Sequence, residues 1–325
     1  MNRTVDWFTR ALAGDRRALA RSISRIDDRA PDLLEAMELL HPRRHHGPGA
    51  PQVIGLTGPP GAGKSTFTNA LVRQRRKAGA RVAVVAVDPS SPFTGGAILG
   101  DRIRMEEHAA DLGVYVRSLS SRGNLGGLSR ATGQVIDLLD AVGFDTILVE
   151  TVGVGQSELG VMEVVDTVLV VLTPESGDTV QTMKAGLLEV ADVFVVNKAD
   201  RPGAERLGRE LEQMVHIDGG EAGWAAPVLL AAAVEGRGVA EALDATEAHA
   251  AYCQGAGLPA WQRRRANGRL RTFHDILAEE LRARVQAALE GPEAALGAAL
   301  RAGDTTPARA ARAYLEAHPW RSLTS

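Results

Sequence analysis

The sequence predicts an α/β protein, a doubly wound, mostly parallel sheet flanked by N-terminal and C-terminal helical extensions. Three observations carry this. Seven short runs, "QVIGLT", "RVAVVAVD", "VYVRSL", "DTILVE", "DTVLVVLT", "DVFVVN" and "PVLLAAA", are near-continuously apolar, the pattern of parallel strands covered on both faces. Helix-period stretches lie between most of them, as in alternating β and α units. The first run opens into a glycine-rich loop, "GPPGAGKS", that leads into a helical stretch.

Composition bounds the rest. The 325 residues suffice for one large domain or a domain with helical additions. At 45% hydrophobic and 24% charged, the chain has the make-up of a soluble protein with a sizeable core. Aromatic residues are only 4% while alanine and glycine abound, which favours close backbone packing and helix-rich ends over an aromatic-filled β-sandwich. A formal net charge of -3 offers no field for nucleic acid or an anionic membrane. The one cysteine, Cys253, excludes an internal disulfide and a thiolate zinc cluster and fits a reducing compartment. The apolar runs fall short of the roughly 18 residues of a membrane span. The opening "MNRTVDWFTRALAGDRR" mixes charge with apolar residues and has no signal-peptide core. A cytoplasmic protein is expected.

Three zones follow along the chain. Residues 1–50 read as an N-terminal helical segment and linker: Ala11, Leu12, Leu19, Ile23 and Ile26 recur near the helical period before "HPRRHHGPGAP" breaks it. Residues 51–240 hold the alternating pattern. Residues 241–325 are helical again, in "VAEALDATEAHAAYCQ", "RLRTFHDILAEELRARVQAALE" and "PARAARAYLEAH".

Gly58, Pro59, Pro60, Gly61, Ala62, Gly63, Lys64 and Ser65, with Thr66 after them, match G-x-x-x-x-G-K-[ST] between a strand and a helix, the context of a P-loop NTPase. The glycines let backbone N–H groups converge on phosphates, Lys64 reaches the β- and γ-phosphates, and the helix N-terminus adds positive partial charge. The Ser65 hydroxyl is placed for Mg²⁺. Asp88, Asp101 and Glu150 are the acidic candidates for the metal region; Asp88 and Glu150 close strands, where side chains of a parallel sheet face the ligand crevice. In "ETVGVGQSE", the Gly153 N–H is the candidate γ-phosphate sensor. Val154, not glutamine, follows it; the usual water-orienting residue is missing, Gln156 takes no assigned role, and slow intrinsic hydrolysis corrected by a partner is expected.

The base end is "NKAD". In N-K-x-D, the carboxylate of Asp200 accepts from guanine N1–H and N2–H₂, a donor pair that adenine lacks. Asn197 can bridge base and loop, and the Lys198 stem can pack on the base. These residues predict GTP and GDP as ligands. In "AAAVEGRGV" Ala233 can offer its N–H to guanine O6, but Ala232 has no hydroxyl to brace the loop.

The strings "VAVDPSSPFTGGAILGDRIRM", "SSRGNLGGLSRAT", "ETVGVGQSE" and "GDTVQTMKAG", with "GDRRALARSISRIDD" near the start, resemble the MeaB/ArgK-type GTPases, the methylmalonyl-CoA mutase-associated proteins. The resemblance covers about residues 10 to 290. It implies a homodimeric, Mg²⁺-dependent GTPase that chaperones an adenosylcobalamin-dependent acyl-CoA mutase, gating cofactor loading and protecting or rescuing the client. Adenosylcobalamin belongs to that client. The resemblance further implies a switch at 177–186 with Gln181 and Lys184 at its functional positions, a buttressing N-terminus and a C-terminal dimerisation arm. After about residue 290 the chain departs from the family pattern.

Two other readings are open. His41, His45 and His46 could serve a metallochaperone GTPase delivering nickel or zinc, though they sit in a proline-glycine linker and set no geometry. "WQRRRANGRLR", with Trp261 beside Arg263, Arg264 and Arg265, could mark a targeting or nucleic-acid-associated GTPase; helical spacing instead suggests a solvated face pairing with Glu279 and Glu280 or with a partner subunit.

Overall fold

The computed structural model describes residues 3–43, 50–88, 106–108, 110–120, 125–151, 160, 162, 164–176, 190–218 and 223–318. All seven apolar runs form strands: β1 (Gln52–Thr57), β2 (Val82–Asp88), β3 (Val114–Ser120), β4 (Thr146–Thr151), β5 (Thr167–Leu172), β6 (Val193–Val196) and β7 (Val228–Leu230). They make one sheet in the order β3-β2-β4-β1-β5-β6-β7, and every pair is parallel. Because the strands run one way, their C-terminal ends share one edge of the sheet. The chain leaves β1 toward the β2 side and leaves β4 toward the β5 side, so the winding direction changes around β1, where ligand crevices of open α/β sheets lie.

Side chains alternate between two apolar layers, as the pleat requires. On one face Val53, Val85, Ile147 and Val170 pack with the N-terminal helices α1 (Arg3–Leu12), α2 (Arg16–Asp27) and α3 (Leu33–Glu38) through Phe8, Ile23, Ile26 and Leu33. On the other, Ile54, Leu56, Val84 and Leu169 pack with Phe67 and Leu71 of α4 (Lys64–Lys77). The first face is completed by α5 (Leu125–Val142) and α6 (Ala204–Asp218), the second by α7 (Val239–Gln254). The N-terminal extension is thus part of the core. Its joints are polar: Asp15 caps α2 by accepting from the N–H groups of Arg17 and Ala18, and Asp32 accepts from the Thr4 hydroxyl and from Arg25.

The helical C-terminus consists of α8 (Leu258–Glu290), α9 (Ala294–Ala302) and α10 (Pro307–Ala317). The chain divides into two compact units, 1–272 and 273–325, with the boundary inside α8. Within the second unit, α9 ends at Gly303 in the left-handed region, and α10 starts with Thr306 capping Arg309 N–H and Pro307 in the first turn.

Candidate functional site

The site is assembled from four loops at the C-terminal edge of the sheet. After β1, the chain turns through Gly58 and Gly63 and enters α4 at Lys64. Both glycines are required. Gly58 has φ +144°, and a Cβ there would lie 2.0 Å from the Val171 carbonyl oxygen of β5. Gly63 has φ +84°, and a Cβ would lie 2.6 Å from Asn197 Nδ2. Gly63 precedes the helix without a side chain to cap it, leaving the first-turn N–H groups facing the loop as an anion site. Lys64 is buried, and its ammonium donates to Gly58 O at 2.8 Å and Pro59 O at 3.0 Å, which holds the charge inside the loop.

At the end of β4 lies Glu150, paired across the sheet with Leu56 of β1. Its carboxylate accepts from Ser65 Oγ at 2.6 Å through Oε1 and from Thr68 Oγ1 at 2.9 Å through Oε2. Glu150 is buried, so its charge depends on such donors. Behind it the Thr151 hydroxyl bonds to Thr57 Oγ1 at 3.1 Å, tying β4 to β1. Ser65 Oγ and Glu150 form an oxygen-only donor set, the chemistry that suits Mg²⁺.

The base end follows β6 and β7. Asn197 is 3% exposed and joins the two ends of the site. Its Nδ2 donates to Ala62 O of the phosphate loop at 2.9 Å, and its Oδ1 accepts from Ala233 N–H at 3.1 Å. The Ala233 N–H, expected to face guanine O6, is therefore engaged by Asn197 in this structure. Lys198 adopts φ +57°, uncommon for a residue with a side chain, and this turns the chain so that Asp200 stands exposed at the rim. Next to it, Arg201 pairs with Glu175, holding that carboxyl down at about 2. The missing hydroxyl at Ala232 is offset by backbone bonds: Ala199 N–H to Ala231 O at 2.9 Å, Ala231 N–H to Val196 O at 2.9 Å and Ala232 N–H to Arg237 O at 3.0 Å.

A phosphate loop and an N-K-x-D turn, brought together by Asn197, make the candidate nucleotide site, and the chain is similar to known GTPases. The family described as "Methylmalonyl Co-A mutase-associated GTPase MeaB" matches residues 19–290. The chain belongs to the MeaB family. A Pyrococcus abyssi protein that bears a GTPase name is 43% identical over 282 residues, covering 85% of this chain and 86% of its own. Escherichia coli GTPase ArgK is 39% identical over 236 residues, 71% of each chain. The crystal structure of an LAO/AO transport system kinase superposes with a TM-score of 0.69 at 25% identity, covering 96% of both chains. This MeaB-family chain is a GTP hydrolase with a P-loop NTPase fold.

Of the residues singled out in the MeaB-family sequence, the structure gathers Gly58 to Thr66, Glu150, Asn197, Lys198, Asp200 and Ala233 along one sheet edge. Asp101, Gly153, Gln181, Lys184, His45 and His46 lie outside the described residues, as does the side chain of Asp88, whose backbone closes β2. His41 is exposed, and among the described residues no group of three or more His, Cys, Asp or Glu could hold a metal ion. Among them, too, no helix is long and apolar enough to cross a membrane.

The arginine segment differs from the expectation of a solvated face. Arg264 forks onto Asp192 at 2.9 and 3.2 Å, and Arg265 donates to Asp166 at 2.8 Å while lying 4.5 Å over the Trp261 ring. Glu280 pairs with Arg284 instead. The physical reason is that Asp166 and Asp192 precede β5 and β6 at the other edge of the sheet, where the buried Asp192 carboxylate and the partly buried Asp166 carboxylate need strong donors. Asp192 also accepts from Val168 N–H at 2.8 Å and meets His249 Nε2 at 3.3 Å, while Thr167 Oγ1 lies 2.9 Å from His249 Nδ1. Cys253, 3.4 Å from the same imidazole, has its thiol pushed up to about 11 by burial and is no nucleophile. Sequence reading missed this knot and also Thr68; the signal for Thr68 and His249 was a polar residue standing where helix periodicity calls for an apolar one.

Proposed function

We propose that GTP hydrolysis by this chain requires Mg²⁺ and is coupled to an adenosylcobalamin-dependent acyl-CoA mutase of the methylmalonyl-CoA mutase type, gating cofactor loading and protecting or reactivating the client. The family description, mutase-associated GTPase, over residues 19–290 carries the client class. The geometry around Lys64, Ser65 and Glu150 supports the hydrolytic roles.

In this reading Lys64, Ser65, Asp101 and Glu150 work at the phosphate end. Lys64 neutralises charge on the β- and γ-phosphates, and the first-turn N–H groups of α4 hold the phosphate oxygens. Ser65 Oγ can lend a lone pair to the cation while its O–H goes on donating to Glu150 Oε1 at 2.6 Å. When bound, Mg²⁺ would add charge neutralisation at the phosphates beside Lys64 and Ser65, so catalysis is positioning and electrostatics rather than covalent chemistry. Asp101 and Asp88 are proposed to complete the metal region, Gly153 to sense the γ-phosphate, and Gln181 and Lys184 to act in the partner-responsive switch. Asp200 selects guanine, with Lys198 stacking beneath the base and Asn197 and Ala233 framing it. The GTPase domain is proposed at 51–240, with 1–50 and 241–325 as accessory parts. A cytoplasmic homodimer is proposed, supported in the second unit by Phe273 and Leu277, one turn apart on α8 and 57% and 37% exposed.

The test is GTP turnover with Mg²⁺, alone and with an adenosylcobalamin-dependent acyl-CoA mutase from the same cell, with ATP as control. Slow GTP turnover that rises sharply with the mutase is expected, with ATP inert. Turnover indifferent to every such mutase would sink the client assignment while leaving the GTPase.

A further inference from the structure

We propose that Thr68 is a positioning residue for the metal end of the nucleotide site, holding Glu150 so that its other oxygen stays on the Ser65 hydroxyl. The inference rests on the Mg²⁺ dependence proposed above.

Thr68 is anomalous where it stands. On the inner side of α4 its neighbours Phe67, Ala70, Leu71 and Val72 belong to the apolar layer against the sheet. Thr68 itself is 0% exposed, and a hydroxyl buried that far from water costs stability unless it is hydrogen-bonded. Two acceptors lie within reach of its one proton: Lys64 O at 3.0 Å, already the helix partner of the residue four positions on, and Glu150 Oε2 at 2.9 Å. The carboxylate is the stronger acceptor, so the proton goes to Glu150.

Position and chemistry then act together. Ser65 and Thr68 are three residues apart on α4 and so share one face, and that face meets the end of β4. Glu150 accepts a hydroxyl on each oxygen, Oε1 from Ser65 and Oε2 from Thr68. A terminal carboxylate torsion is broad and weakly held by itself. Two donors on opposite oxygens fix its plane. Glu150 Oε1 is then always aligned with the Ser65 proton, which leaves the Ser65 lone pairs directed away from Glu150 and available to a cation. A helix residue with no hydroxyl at position 68 would remove the donor on Oε2.

The experiment follows release of N-methylanthraniloyl-GDP, chased with excess GDP, over a series of free Mg²⁺ concentrations in the full chain. Thr68→Val removes the hydroxyl at nearly constant volume, and Thr68→Ser restores it. The expected result is that the Mg²⁺ concentration giving half-maximal slowing rises about fivefold to tenfold in T68V and stays within about twofold of the parent in T68S. In EDTA all three release at the same rate. An unshifted Mg²⁺ midpoint in T68V overturns the proposal. So does faster release of T68V in EDTA by the same factor, which would make Thr68 a prop for the loop, or a T68S that behaves like T68V. Should T68V not fold, Thr68→Ala is read by the same criteria. Release from the parent chain that ignores Mg²⁺ overturns the metal reading itself, and that failure is visible before any variant is compared.

Discussion

Replacing Asn197 by alanine tests whether the two ends of the nucleotide site are one structure. The amide spans from Ala62 O, 2.9 Å away in the phosphate loop, to Ala233 N–H, 3.1 Å away in the loop after β7. All three residues are buried, so truncation strands a carbonyl and an N–H away from water. Each stranded group costs about 1–3 kcal/mol. One water entering the vacated space can re-bond one of the two, which places the expected loss of folding stability at about 2–4 kcal/mol. Urea denaturation of the nucleotide-free chain measures it directly. Because the base and phosphate loops then move independently, nucleotide must order them on binding, and GDP affinity by titration calorimetry is expected to fall at least about tenfold, or ~1.4 kcal/mol. Stability within about 0.5 kcal/mol of the parent together with unchanged GDP affinity would refute the joint.

Other substitutions separate the roles. Lys64→Ala removes the ammonium held by Gly58 O and Pro59 O, and GTP turnover should fall by about 100-fold or more; single-turnover assays showing retained hydrolysis would contradict its role. Asp200→Asn should weaken GTP by about 100-fold and move preference toward xanthosine triphosphate, checked by competition against labelled GDP; unchanged guanine preference would remove Asp200 from base selection. Burial holds His249 below its ordinary 6.5, against the pull of Asp192 and Asp166, with Arg264 reinforcing the neutral form. The unfolded chain therefore takes up the His249 proton first as pH falls through about 6.5, and stability should decline below that pH by up to about 1.4 kcal/mol per unit until the folded imidazole also protonates. Denaturation at pH 7.5 and 5.5 should show a smaller difference for His249→Gln than for the parent, and an equal difference would mean that His249 is not the group responsible.

The strands were legible because burial on both faces writes itself into sequence as an unbroken apolar run, and each of the seven runs became a strand. Their order was not. That β4 inserts between β2 and β1 depends on pairings between segments far apart in the chain, about which local periodicity is silent. Helix boundaries suffered the same limit: α8 runs unbroken from Leu258 to Glu290 through Gly268, a residue that costs about 1 kcal/mol in a helix interior, because tertiary contacts of Arg264 and Arg265 anchor its first turns. Those two arginines show why a helical wheel misleads. It offers partners within a few turns, whereas the carboxylates that hold them lie 72 and 99 residues earlier in the chain.

At the candidate site, the residues proposed to touch the nucleotide were legible, because phosphate and guanine impose spacing: glycines where the backbone approaches, a lysine and a serine at the helix start, an aspartate three residues after an asparagine. Residues that touch only those residues were not. Asn197 was recognisable as part of N-K-x-D, but its bond to Ala62, 135 residues earlier, appears only when β1 and β6 flank β5 in the sheet. Thr68 obeys no ligand-imposed spacing at all. Its signal was a polar side chain on a helix face that packs against an apolar layer, a local conflict whose cost must be met by some partner. His249 on α7 presents the same conflict at the opposite edge, and there the partners are the Asp192 carboxylate and the Thr167 hydroxyl brought in by the fold. A buried polar residue that breaks its element's apolar pattern therefore points to a supporting position, and the identity of what it supports follows from the strand order rather than from the sequence around it.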